Sequence, residues 1–141
     1  MILLDTNVVS EPLRQVPEAR VIDWIDAQPL ETLYLSAITV AELRAGVALL
    51  PEGARRATLR ENLEKRVLPM FAGRVLSFDI ACTKAYAELL AKARSACVAV
   101  ETVNACIAAV ALTNGFNVAT RDAHPFEAAG LAVVNPWGTR P

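Results

Sequence analysis

The chain has 141 residues, of which 54% are hydrophobic and 21% charged, with 14 basic side chains against 15 acidic ones. That length suits one domain with a single sizeable core, expected over residues 1–141. A net charge of −1 argues against tight, sequence-independent nucleic-acid binding, which needs a strong positive excess.

Residues 1–4 read as a fully apolar strand that ends directly on Asp5. Residues 16–27 carry Val21, Ile22, Trp24 and Ile25 among charged neighbours, a helix introduced by Pro17. Residues 33–36 make a second short strand. From Thr39 onward Val40, Leu43, Val47 and Leu50 recur at helical spacing, until Pro51 and Gly53 stop the helix. Residues 54–68 predict a charged helix with Leu59, Leu63 and Val67 on one face. A third strand is expected over 74–78 and a long helix over 80–95. A helix over 102–113 is closed by Asn114 and Gly115. Strands at 116–120 and 131–134 complete the chain, the last one stopped by Asn135 and Pro136. Short apolar strands alternating with helices predict an α/β fold around a parallel sheet.

No apolar run is long enough to span a membrane, and the N-terminal stretch lacks the basic region of a signal peptide. Cys82, Cys97 and Cys106 are odd in number and have no CxxC spacing, so they are expected to be buried thiols of a reduced, cytoplasmic compartment.

In an open parallel sheet, ligands bind beyond the carboxyl ends of the strands. Three acids are expected at that edge: Asp5 after the first strand, Glu42 in the first turn of the helix after the second, and Asp122 two residues after the fourth. Clustered carboxylates repel unless a cation intervenes. Oxygen ligands without His or Cys favour Mg²⁺ or Mn²⁺, whose chemistry suits phosphodiester hydrolysis. Each acid also has a plainer reading. Asp5 could cap the next turn, Glu42 could close a capping box with Thr39, and Asp122 could belong to a turn.

These same residues carry a family likeness. MILLDTNVVSE, LSAITVAELRAG and FNVATRDAHPFEAAGLAVVNPW together resemble the PIN-domain ribonucleases, and within them the FitB-like VapC toxins of bacterial type II toxin–antitoxin pairs. The likeness runs along essentially the whole chain. It implies a PIN fold with an acidic Mg²⁺ pocket, endoribonuclease activity, a homodimer, and control by a cognate antitoxin of the VapB or FitA kind. Operator DNA would be met only through that antitoxin. The antitoxin's tail is expected along an apolar groove, with helices 17–27 and 39–50 as its walls. Residue by residue, Asp5, Glu42 and Asp122 match three acids of the catalytic and metal-binding set. Thr6, Asn7 and Thr120 match polar neighbours of the pocket, while Arg44 and Arg121, each beside an acid, are candidate RNA contacts.

Asn104 departs from the pattern. It stands in NACIAA, where the family usually has its third acid. Asparagine keeps the shape and one carbonyl acceptor but removes a negative charge. Four readings stand side by side: an inactivating change, a tolerated one with weaker metal binding, replacement of the charge by Glu101 one helical turn earlier, or a simple helix cap. A catalytically silent PIN protein, serving only as the antitoxin's partner, is the non-enzymatic alternative. A phosphotransfer site built on Asp5 is disfavoured because Asp5-Thr6-Asn7 lacks a second acid. Dinucleotide binding lacks a glycine-rich loop. The basic residues from Arg55 to Arg66 alternate with Glu61 and Glu64, as on a solvated, ion-paired helix face. His124 is expected in a loop.

Overall fold

The computed structural model describes residues 1–138, so the last three residues of the expected domain lie outside the described residues. Five strands, β1 (Ile2–Leu4), β2 (Leu33–Ser36), β3 (Val75–Leu76), β4 (Asn117–Ala119) and β5 (Val133–Val134), form one sheet in the order β3-β2-β1-β4-β5. Every pairing is parallel. β1 is central, with Leu3 opposite Tyr34 on one side and Val118 on the other.

Parallel strands need crossovers, and the helices supply them. They are α1 (Thr6–Val9), α2 (Ala19–Ala27), α3 (Ala37–Ala48), α4 (Ala54–Asn62), α5 (Ile80–Ser95), α6 (Thr102–Asn114) and α7 (Ala123–Ala128). Adjacent strand residues point to opposite faces, so Leu3 and Leu4 enter different cores. Leu3 and Val118 pack with Leu89, Ile107 and Phe126 from α5, α6 and α7. Leu4, Leu35 and Ala119 pack with Val8, Val21, Leu43 and Phe71 on the other face, and Trp24 and Trp137 lie against that second core. Two covered faces account for the apolar composition. Among the described residues, no helix is long and apolar enough to cross a membrane.

Several expected boundaries shift. The charged helix expected over 54–68 is α-helical only to Asn62, passes through a π turn at Leu63–Val67, and ends in a 3₁₀ turn at Leu68–Phe71. The wider π turn keeps Leu63 and Val67 both buried, and Pro69, lacking an N–H, prevents a return to α geometry. His124 lies within α7, not in a loop. The cysteines also divide: Cys82 is buried, Cys106 half-buried, and Cys97 exposed, so the expectation of three buried thiols fails at Cys97.

Cys97 is exposed because it serves as a helix stop. Its N–H bonds the Arg94 carbonyl and the Val98 N–H bonds the Ala93 carbonyl, a paired closure that needs a left-handed residue between. α6 closes in the same way, with Gly115 N–H on Leu112 and Phe116 N–H on Ala111. Gly115 takes φ 69° without cost, whereas Cys97 takes φ 57° against its own Cβ. Cys97→Gly should therefore stabilise the protein by about 1 kcal/mol in urea denaturation, while Gly115→Ala should destabilise it by a similar amount.

Candidate acidic site

The chain winds outward from β1 through β2 to β3, then returns to the other side of β1 for β4 and β5. The order reverses between β1 and β4, and in open parallel sheets that is where a ligand crevice forms, beyond the carboxyl ends of the strands. Asp5 follows β1 at that point, and Thr120 to Asp122 follow β4. The Asp5 N–H bonds the Ala119 carbonyl at 2.9 Å, tying the two strand ends together.

Asp5 is only 4% exposed. One carboxyl oxygen accepts the Thr6 N–H at 2.8 Å, so the capping reading holds, and the other accepts the Thr120 hydroxyl at 2.8 Å. Burial is the main reason its pKa lies above the ordinary 3.8. Those two hydrogen bonds oppose the rise, and the charges of Glu42 and Asp122 add to it. The charges of Glu42 and Asp122 thus both reach the Asp5 carboxyl.

Glu42 reaches the site by a different route from the one expected. Ser36 caps α3, with its hydroxyl oxygen accepting the Thr39 N–H at 3.0 Å. Helix α3 thus begins at Ala37, two residues earlier than its apolar spacing suggests, and Glu42 falls in the second turn. It cannot close a capping box, and its carboxylate instead accepts the Thr6 hydroxyl at 2.5 Å. Thr6, directly after Asp5, thereby connects the two acids.

Thr120 is fully buried and serves as the hub of the other wall. Besides donating to Asp5, its hydroxyl oxygen accepts the Asp122 N–H at 3.0 Å and the Asn7 amide at 3.4 Å. Asn7 returns a bond by accepting the Arg121 N–H at 3.3 Å. Asp122 occupies the N-cap position of α7 but makes no capping bond with its side chain, which is exposed.

Asn104 is half-buried in the first turn of α6, at the third helical position. Because α6 returns the chain to start β4, its N-terminus lies at the carboxyl edge of the sheet. The cap position belongs to Glu101, so Asn104 does not cap, and Glu101 is exposed with no side-chain capping bond. The two candidate arginines differ. Arg44 holds Glu64 through two bonds of 2.8 and 3.1 Å. Arg121 lies 5.1 Å over the Trp137 ring.

Beside Thr6 and Glu42 runs a groove of about 290 Å³ lined by Leu43, Val47 and Leu50. Leu13 and, from α4, Arg55 and Leu59 line it as well. The 39–50 helix thus lines this groove, and residues 17–27 are not part of its lining.

The sequence reading missed the roles of three buried polar residues, two beside this site and one away from it. Ser36 and Thr39 are fully buried, and the spacing of a Ser at a strand end, three residues before a Thr, is a readable N-cap signal. Glu11, only 3% exposed, accepts from Arg14 at 3.1 Å and from the Glu18 N–H at 3.0 Å. No local pattern could have revealed it, because its partner amide lies in a loop seven residues on.

The donor chemistry fits a hard divalent cation, since it is all oxygen and the buried Asp5 carboxyl is burdened by two neighbouring acids. Among the described residues, no three His, Cys, Asp or Glu side chains stand close enough together to hold one ion. The arrangement is thus not a closed cage, which matches the habit of Mg²⁺ to take one or two carboxylates and keep water and phosphate as its other ligands.

The PIN domain profile matches residues 2–131. Over 137 residues, 97% of this chain, it is 74% identical to a plasmid stability protein StbB of Pseudomonas syringae pv. tomato, covering 99% of that protein. It is 54% identical to the VapC ribonuclease Y4jK of Sinorhizobium fredii, over 97% of this chain and 98% of that one. The toxin FitB of Neisseria gonorrhoeae is 51% identical over 97% of this chain and 99% of its own. The crystal structure of FitAcB from the same organism superposes with a TM-score of 0.95 at 50% identity, covering 99% of this chain and 100% of that one. The chain belongs to the PIN-domain family.

Because the folded-state pKa of Asp5 lies above its ordinary value, ionising it costs stability. That cost is absent below the ordinary value of 3.8 and complete above the folded one. In EDTA at neutral pH, Asp5→Asn should raise Tm by on the order of a few degrees, and the gain should shrink as pH falls toward 3.8. Mg²⁺ should raise the wild-type Tm and leave that of Asp5→Asn unchanged.

Proposed function

We propose that this chain is a Mg²⁺-dependent endoribonuclease, the toxin of a toxin–antitoxin pair. The observation that carries the reading is a buried Asp5 at the strand-order reversal, raised in pKa partly by Glu42 and Asp122. The names of the relatives, a VapC ribonuclease and the toxin FitB, agree with it. Mg²⁺ or Mn²⁺ would supply a Lewis acid for the scissile phosphate and a more acidic water.

The chain's own residues do the rest. Asp5 and Glu42 would hold the ion directly, with Asp122 and the Asn104 amide meeting it through bound water. Thr6 fixes Glu42 by donating to it, and Thr120 fixes Asp5 in the same way. Asn7 holds the Arg121 backbone, which sets the loop that carries Asp122. Arg121 stacks on Trp137 instead of pairing with a carboxylate among the described residues, so its charge remains available to RNA phosphate. Arg44, already held by Glu64, has less charge to offer.

The apolar groove beside Glu42 suits the tail of a cognate antitoxin of the VapB or FitA kind. The antitoxin would carry any operator DNA binding for a chain of charge −1. A homodimer in the bacterial cytoplasm completes the assignment. Asn104 supports a second reading, in which the chain is a silent PIN protein acting only as the antitoxin's partner. It brings no charge to the position and makes no cap.

RNA cleavage with Mg²⁺ that stops in EDTA, and falls at least a hundredfold in Asp5→Asn, is the expected outcome. Metal-dependent cleavage by the wild type would exclude the silent reading. Asn104→Asp should raise Mg²⁺ affinity and cleavage by roughly tenfold, and equal activity across a Mg²⁺ titration would count against it. Arg121→Ala should weaken RNA binding and lower its salt slope by about one, with a smaller effect from Arg44→Ala.

A further inference from the structure

Four side chains run in a line from the end of β2 to the acidic site. The Ser36 hydroxyl lies 3.2 Å from that of Thr39, which lies 3.2 Å from that of Thr6, which contacts Glu42. Ser36 and Thr39 are both fully buried, so water cannot substitute for either partner.

Each hydroxyl has one proton, and a carboxylate accepts only. The Thr6 proton must therefore go to Glu42. Thr6 can then meet Thr39 only as an acceptor, so Thr39 donates to Thr6. With its own proton committed, Thr39 can meet Ser36 only as an acceptor, so Ser36 donates to Thr39. The Ser36 oxygen is in turn held by the Thr39 N–H at 3.0 Å. Every proton in the line has one destination, and the line points at Glu42.

We infer that Ser36 and Thr39 are positioning residues for the metal-binding carboxylate Glu42, acting through Thr6. Helix capping alone would engage Ser36 and the Thr39 backbone, and would leave the Thr39 hydroxyl without a task. That hydroxyl instead denies Thr6 any other donor geometry and polarises its bond to Glu42. The carboxylate is thus oriented before a cation arrives, and none of the reorientation has to be met on binding. The inference rests on the metal-dependent reading of the site.

The test is isothermal titration of the full chain with MgCl₂ alone, without RNA. Thr39→Val keeps the volume and removes the hydroxyl, and should weaken Mg²⁺ binding on the order of tenfold. Thr39→Ser restores the hydroxyl and should return affinity to near the wild-type value. A Thr39→Val protein that melts lower but binds Mg²⁺ as the wild type does would reduce Thr39 to a structural role and overturn the inference. If Thr39→Val does not fold, Ser36→Gly is measured instead, since glycine is well tolerated at a helix cap. Unchanged affinity in that variant would overturn the inference equally. Absence of Mg²⁺ binding in the wild type would remove the metal reading itself, and the inference with it.

Discussion

The hydrogen bond from the Asp5 N–H to the Ala119 carbonyl, at 2.9 Å, joins the ends of the two strands where the sheet reverses its order. Much else depends on that pairing. It sets the register of β1 against β4, with Leu4 opposite Ala119. It therefore decides which residues emerge together at the crevice: Asp5 from one strand and Thr120 from the other, one donating directly to the other's carboxylate. A slip of one residue would send Leu3 and Leu4 to the wrong cores and turn Asp5 away from Thr120.

The same arrangement places a carboxylate where it is disfavoured. Asp5 is buried, two further acids raise its pKa, and the hydrogen bonds from Thr6 and Thr120 offset the cost only in part. A site that holds charges apart from water in this way is less stable than an apolar one of the same shape, and better prepared for a cation. The surrounding polar residues leave nothing loose: no buried side-chain oxygen or nitrogen among the described residues lacks a hydrogen-bond partner. Thr6 and Thr120 are each shared between two or more partners, so the walls of the crevice brace each other.

Much of this was legible in the order of residues. β2 and α5 have their expected bounds, since a short apolar and aromatic run that ends on Ser36, and a long helical spacing after Asp79, each admit one reading. Asp5, Glu42 and Asp122 were placeable at one edge, because a parallel sheet gathers its strand ends there. The helix carrying Glu42 was misplaced by two residues because apolar spacing marks the buried face, while the cap marks the start. Ser36 was read as the end of β2, and it also begins α3. Cys97 was misjudged because burial averages for cysteine ignore a backbone that needs a left-handed residue. Asn104 had four readings, and the position of Glu101 at the cap removes one of them.

The order of residues carries the class of fold, the family, and the acids that could act together, since hydrophobic periodicity and residue chemistry are local properties. The tertiary structure alone decided that β1 lies between β2 and β4, which makes the end of β1 the point of reversal. It also decided that Glu42 is held by Thr6 through a line of hydroxyls reaching back to Ser36. Hydrogen bonds between residues more than thirty positions apart depend on which strands pair and in what register, and no local pattern of residues encodes that.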